Sequence, residues 1–147
     1  VYGPQENHKG KMASIFYQMF NQFKAEGHVK LFDAYGDYGP GEQTRDLLYV
    51  DDCARFVVEA GYCDKVNGQI VNAGLGQDVS VNTLAAMVEP DPAKIVHVPH
   101  IHPQSEIMKL LCDSRKAKEL LGWSPQISLS EGLRLTREWI EENPQFV

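Results

Sequence analysis

The chain has 147 residues, 43% of them hydrophobic, and its 14 basic and 20 acidic side chains leave a net charge of −6. That size supports one globular core. The negative balance argues against a nucleic-acid arm or an anionic-membrane surface. No apolar run approaches the roughly 20 residues that cross a bilayer, and the opening carries no signal-type pattern. Cys53, Cys63 and Cys112 are too scattered for a disulfide framework or a CxxC metal clip, and they read as reduced thiols of a cytoplasmic protein. The chain opens at Val1 on a turn signal, Gly3-Pro4, and reads as a unit cut from something longer.

Helical and extended segments alternate, which indicates an α/β class. From Lys11 to Glu26, Met12, Ile15, Phe16, Met19, Phe20 and Phe23 share one helix face, and Gly27 supplies the stop. Val29 to Phe32 is a short extended run, followed by a glycine-rich polar loop from Ala34 to Thr44. Leu47 to Val50 reads as a buried strand. Asp51 or Asp52 then caps a helix that turns Ala54, Val57 and Val58 inward and ends at Gly61.

Gly68 to Asn72 reads as a further strand, leading into the turn Ala73-Gly74-Leu75-Gly76. Ser80 caps a helix with Val81, Leu84, Ala85 and Val88 on one face. Pro90-Asp91-Pro92 breaks it, Lys94 to Val98 is the next strand, and Pro99 to Pro103 is irregular. Asp113 caps a short helix that buries Ala117, Leu120 and Leu121 and closes at Gly122. Ser128 and Glu131 form a capping box for a last helix ending before Pro144.

Four features carry chemistry. Glu6-Asn7-His8-Lys9-Gly10-Lys11 puts an acid, an imidazole and two ammonium groups into one turn ahead of an apolar helix. A lysine at a helix start opposes the macrodipole and fits better beside a phosphate or a reacting proton, although a solvated loop also explains it. Arg45 can clamp a phosphate through its planar fork, or it can pair structurally with Asp46 or Asp51. Gly74-x-Gly76 lacks the third glycine of a dinucleotide fingerprint, so a plain turn explains it better. His97, His100 and His102 have no thiols beside them and read as loop histidines, with no metal site.

Several words in this order resemble the C-terminal half of an extended short-chain dehydrogenase/reductase acting on nucleotide sugars. They are Val1-Tyr2-Gly3-Pro4, Arg45-Asp46-Leu47-Leu48-Tyr49-Val50-Asp51-Asp52, Val71-Asn72-Ala73-Gly74, and Asp113-Ser114-Arg115-Lys116-Ala117 running into Leu120-Leu121-Gly122-Trp123-Ser124-Pro125. Within that superfamily, His8-Lys9-Gly10-Lys11-Met12-Ala13-Ser14 is similar to a segment of the ADP-glycero-manno-heptose 6-epimerases.

The resemblance implies the C-terminal portion of an extended Rossmann-type NAD(P)-binding fold, including its small substrate-binding domain. Residues 1–147 would be the substrate side of a nucleotide-sugar epimerase that works by transient oxidation. Lys9 would be a catalytic base bordering the cofactor, with Val1 at a cofactor-contacting backbone position. Lys11 and Gln18, on a helix opened by Lys11, would contact substrate. Phe32 and Asp33 would border the base and ribose, and Arg45 would hold the diphosphate. A desolvated Lys9 would suit proton transfer. NAD or NADP would be bound mainly by an absent N-terminal half, because no glycine-rich fingerprint and no Tyr-x-x-x-Lys pair occurs here. The full-length enzyme would be a homo-oligomer, and this portion alone inactive.

Some positions depart from the heptose pattern. Lys11 replaces a serine, Gln18 stands where a histidine is usual, and His102 holds the place of a second phosphate-gripping arginine. The passage from Asp113 to Pro125 is more similar to dehydratases and 4-epimerases. An NDP-sugar 4-epimerase or 4,6-dehydratase is therefore the alternative, and a non-catalytic nucleotide-sugar-binding remnant is a third reading. The apolar face of the first helix and the strands at 47–50 and 69–72 are expected to need partners from outside the chain.

Overall fold

The computed structural model describes residues 1–102, 104 and 106–146; Pro103, Ser105 and Val147 lie outside the described residues. The fold is mixed α/β, as expected. Two small sheets carry it. Strand β1 (Val29–Phe32) pairs in parallel with β4 (Ile95–Val98), in the register Val29 opposite Ile95 and Phe32 opposite Val98. Strand β2 (Thr44–Asp46) is flanked by β3 (Asp78–Ser80), antiparallel, and by β5 (Lys109–Leu110), parallel.

Helix α1 (Ile15–Glu26) packs on β1, on α3 (Val81–Val88) and on α5 (Leu129–Glu142). Phe16, Met19, Val29, Leu31, Leu84, Ala85, Val88 and Leu133 fill the main core between them. The expected inward face of α3 is fully realised, because Val81, Leu84, Ala85 and Val88 recur at helical spacing. Ser80 caps that helix by accepting the Thr83 N–H. The α1 face buries itself within this chain, so the expectation that it needs an outside partner does not hold.

The first helix starts later than the apolar period predicts. Glu6–Met12 forms a 3-10 turn broken at Gly10, and Ser14 caps α1 by accepting the Tyr17 N–H. Lys11 therefore does not open the helix, and Met12 is 85% exposed instead of joining the core face. A local side-chain cap outweighs an accidental match to the period. At the other end Gly27 adopts a left-handed conformation and closes the helix as read.

The buried strand at 47–50 is displaced. The ladder falls on Thr44–Asp46, while Leu47, Leu48 and Tyr49 run buried beyond it and Tyr49 bridges Tyr2 in parallel. Helix α2 (Val50–Gly61) then begins at once, with Tyr49 in the cap position and no side-chain cap from Asp51 or Asp52. Its orientation is also corrected. Ala54, Val57 and Val58 face outward, while Cys53 and Phe56 pack with Leu48, Ala117 and Trp123 in a second core. Asp52 causes the rotation. It is buried, pairs with Arg55 at 2.8 Å, and accepts the N–H groups of Gln126 and Ile127.

Residues 68–72 form no ladder among the described residues, and Ile70 is 85% exposed beside a half-buried Val71. Helix α4 (Arg115–Leu121) buries Ala117 and closes on left-handed Gly122. Ser114, not Asp113, occupies its cap position; Asp113 accepts the Arg115 N–H and guanidinium instead. The capping box before α5 is half made. Ser128 accepts the Glu131 N–H, but the Glu131 carboxylate binds Arg134. No described helix is long and apolar enough to cross a membrane.

Candidate functional site

Open α/β sheets bind ligands beyond the carboxyl ends of their parallel strands. Strands β1 and β4 both end at one such edge. Asp33 N–H donates to Val98 O at 2.8 Å, and the loop that leaves Phe32 returns through a Gly41 N–H bond to Phe32 O at 3.1 Å. Phe32 is 39% exposed there, and its ring lies 3.9 Å from that of His100, centroid to centroid, tilted by 31°. His100 Nδ1 accepts the His102 N–H, so Nε2 carries the proton that Glu106 Oε2 accepts at 2.8 Å. The other Glu106 oxygen accepts from Arg45 Nη2. Arg45 Nη1 donates to Thr44 O at 2.9 Å and to Ile107 O at 2.5 Å.

Phe32 and Arg45 are thus linked through two residues the resemblance does not assign, His100 and Glu106, and Asp33 follows Phe32 at the strand end. Arg45 is paired, but with neither acid weighed for it. Asp46 accepts the N–H groups of Leu75, Gly76 and Cys112, and Asp51 is exposed in the first turn of α2. Next to Arg45, the Thr44 hydroxyl and then the Lys109 ammonium hold the Asp78 carboxyl below its ordinary range.

Lys9 and Lys11 in the turn ahead of α1, with Gln18 in the first turn of that helix, form a second group. Its hub is Glu6, 1% exposed, which accepts Gly3 N–H at 3.2 Å, Ser14 N–H at 2.7 Å and the Ser14 hydroxyl at 2.7 Å. Lys9 Nζ reaches the same carboxylate at 3.4 Å, with its side chain 37% exposed. In this chain Lys9 is thus half-exposed and paired with a buried carboxylate. Gln18 Nε2 donates to Lys11 O and Ala13 O, which braces the turn from the helix, and Lys11 is exposed. Val1 is 58% exposed.

The Gly74-Leu75-Gly76 turn tests whether the chain can cradle a dinucleotide. Gly74 N–H donates to Ser114 Oγ at 3.0 Å, and the next two amides donate to Asp46. A Cβ on Gly74 would lie 2.2 Å from Cys112 Cβ, so the glycine serves chain packing. A diphosphate finds no vacant N–H nest at this turn.

The sequence profile of the NAD dependent epimerase/dehydratase family matches residues 1–74, just over half of the chain. The chain belongs to this family. Solved structures agree with that membership. Pal from Bacillus thuringiensis is 48% identical, with a TM-score of 0.79 over 96% of this chain and 43% of its own. UDP-glucose 4-epimerase from Thermotoga maritima, solved with UDP-glucose, is 31% identical, with a TM-score of 0.79 over 98% of this chain and 44% of its own. UDP-glucuronic acid 4-epimerase from Bacillus cereus, solved with UDP-glucuronic acid and NAD, is 28% identical, with a TM-score of 0.77 over 97% and 43%. This epimerase/dehydratase-family chain thus spans less than half the length of each.

Three residues of the candidate site have contacts or burial that no local sequence pattern announces. Glu106 lies 61 positions from Arg45 with no periodic signal between them. His100 was visible as a loop histidine, but its stacking on Phe32 needs the strand register. Glu6 was visible in the turn, yet its burial depends on Ser14 folding back eight residues later.

Proposed function

We propose that these 147 residues form the sugar-nucleotide-binding part of an NAD(P)-dependent nucleotide-sugar epimerase, similar to the heptose 6-epimerases around Lys9. The observation that carries this reading is the anchored Arg45 guanidinium, joined through Glu106 and His100 to the exposed Phe32 ring at the carboxyl end of β1. A planar fork offers paired donors to a diphosphate, and an aromatic face suits a nucleobase. Asp33 follows Phe32 at the ribose side. Lys9 is the proton-transferring group, Lys11 and Gln18 lie toward the sugar, and Val1 and Lys9 border the cofactor.

The cofactor, NAD or NADP, is held in this reading by protein outside residues 1–147, because the glycine turn of this chain is filled by its own side chains. Hydride chemistry then belongs to the whole protein, and the chain alone binds without turnover. A second reading, an NDP-sugar 4-epimerase, draws on the two 4-epimerases at 31% and 28% identity.

Calorimetric titration of the chain with UDP-, ADP-, GDP- and dTDP-sugars tests the proposal and separates the two readings. Binding of at least one at sub-millimolar concentration is expected. A preference for an ADP-sugar supports the heptose-like reading, and one for a UDP-sugar supports the second. Absence of binding at millimolar concentration overturns both. In the longer protein, Lys9→Ala should abolish turnover with sugar-nucleotide binding nearly intact; normal turnover removes Lys9 from its role.

A further inference from the structure

We infer that Glu106, held by His100, is a positioning residue that sets the plane of the Arg45 fork for a diphosphate ligand. The inference rests on the proposed reading of Arg45 as the diphosphate-binding group. A free arginine side chain loses much rotamer entropy when it docks on a ligand, so a guanidinium fixed beforehand binds more tightly. Three of its five N–H donors are committed here, to Thr44 O, Ile107 O and Glu106 Oε1. These anchors come from β2 and from the segment leading into β5, so they define the plane of the fork. Among the described residues two donors remain for a phosphate.

A carboxylate beside a phosphate-binding arginine also opposes the ligand's charge, and the geometry shows which effect should dominate. Glu106 is 14% exposed in its side chain and His100 is 9% exposed, so neither swings freely in solvent. His100 cannot turn its ring, because Nδ1 is held by the His102 N–H while the ring face lies on Phe32. Its Nε2–H therefore points at Glu106 Oε2, and the carboxylate is gripped from both sides. The arrangement links the aromatic edge to the phosphate edge through a single carboxylate. Such a device fixes a charge and does not merely cancel it.

The test uses UDP and uridine as calorimetric probes on the unaltered chain and on Arg45→Ala, Glu106→Gln, His100→Asn and the Arg45→Ala/Glu106→Gln pair. Glu106→Gln should weaken UDP about 10-fold, as loss of one charge-assisted bond implies, and leave uridine within about 2-fold. His100→Asn should weaken UDP by a smaller factor, and the double variant should bind UDP no worse than Arg45→Ala alone. A merely structural Glu106 would lower uridine and UDP binding together. If Arg45→Ala weakens UDP while Glu106→Gln does not, or tightens it, the positioning role is overturned and the reading of Arg45 stands. If Arg45→Ala leaves UDP unchanged, or the unaltered chain fails to bind UDP, the reading itself falls and takes this inference with it.

Discussion

The Tyr2 hydroxyl and Gly132 meet where the first bridged residue of the chain crosses its last helix: a Cβ on Gly132 would lie 2.1 Å from Tyr2 Oη. Tyr2 is 1% exposed and its hydroxyl donates to Leu129 O at 3.2 Å, so the ring has nowhere to retreat. Burial, with smaller contributions from Tyr49 and Asp52, pushes the Tyr2 phenol far above its ordinary range, and it remains a donor across the accessible pH range. The contact closes α5 over the Tyr2–Tyr49 bridge.

Gly132→Ala should therefore destabilise the chain, although alanine is the better helix former by about 1 kcal/mol. Overpacking against a fixed ring costs about 1–3 kcal/mol or more and should outweigh that gain. Gly61→Ala is the control. Nothing lies within 4 Å of its Cβ position, and it closes α2. It should raise stability by about 0.5 kcal/mol. Urea unfolding of the two variants should give midpoints on opposite sides of the unaltered chain.

Glu6 holds the Lys9 turn to the start of α1, and Glu6→Ala leaves the Gly3 and Ser14 amides without their acceptor. A buried donor without a partner costs about 1–3 kcal/mol, so a loss of roughly 3 kcal/mol is expected for the pair. Ser14→Ala removes the α1 cap and the hydroxyl bond to Glu6, at about 1–2 kcal/mol. Denaturant midpoints should fall in that order, and the double variant should cost less than the sum because the two side chains are partners.

Legibility in the sequence followed the range of the interaction that decides each element. β1, β4, α3 and the Gly27 and Gly122 stops are fixed by neighbours within a helical turn or a short apolar run, and the sequence pattern predicts each of them. The facing of helix α2 departs from its apolar pattern because it is set by Asp52, whose partners lie at Gln126 and Ile127. A hydrophobic count along α2 alone puts Val57 and Val58 inside, since it has no term for a buried carboxylate. The site divides the same way. Arg45 stands in a quoted motif word and Phe32 is a candidate by the resemblance alone, whereas Glu106 and His100, which join them, are tertiary contacts with no local signature.

The rotation of α2 gives a direct test. Val57 is 61% exposed and Val58 57% exposed, so Val57→Ser and Val58→Ser should each change stability by less than about 0.5 kcal/mol in this chain. Phe56 meets Trp123 edge-on at 5.3 Å between centroids, and Phe56→Ala should cost about 3 kcal/mol. The reverse order in thermal melts would restore the outward-facing valines to the core.

Asp52 carries a prediction about acid. Burial pushes its carboxyl up, but the Arg55 guanidinium and the Ile127 and Gln126 N–H groups together outweigh burial and hold it below its ordinary value of 3.8. The folded state then binds fewer protons than the unfolded chain near that pH. Its contribution is complete above the unfolded-state value and is lost as pH falls through the lowered one. Exposed carboxyls paired with arginine, such as Asp113 held at about 2 by Arg115, titrate in the same direction, so the variant difference is the measurement. Asp52→Asn keeps the shape but loses the charge facing Arg55 and turns an amide donor toward two backbone N–H groups. It should be less stable at pH 7, and the gap should narrow as pH drops from about 4 toward about 2. Circular-dichroism melts at a series of pH values give both curves, and a gap that stays constant into acid would show that the carboxylate's charge adds nothing to the α2 anchor.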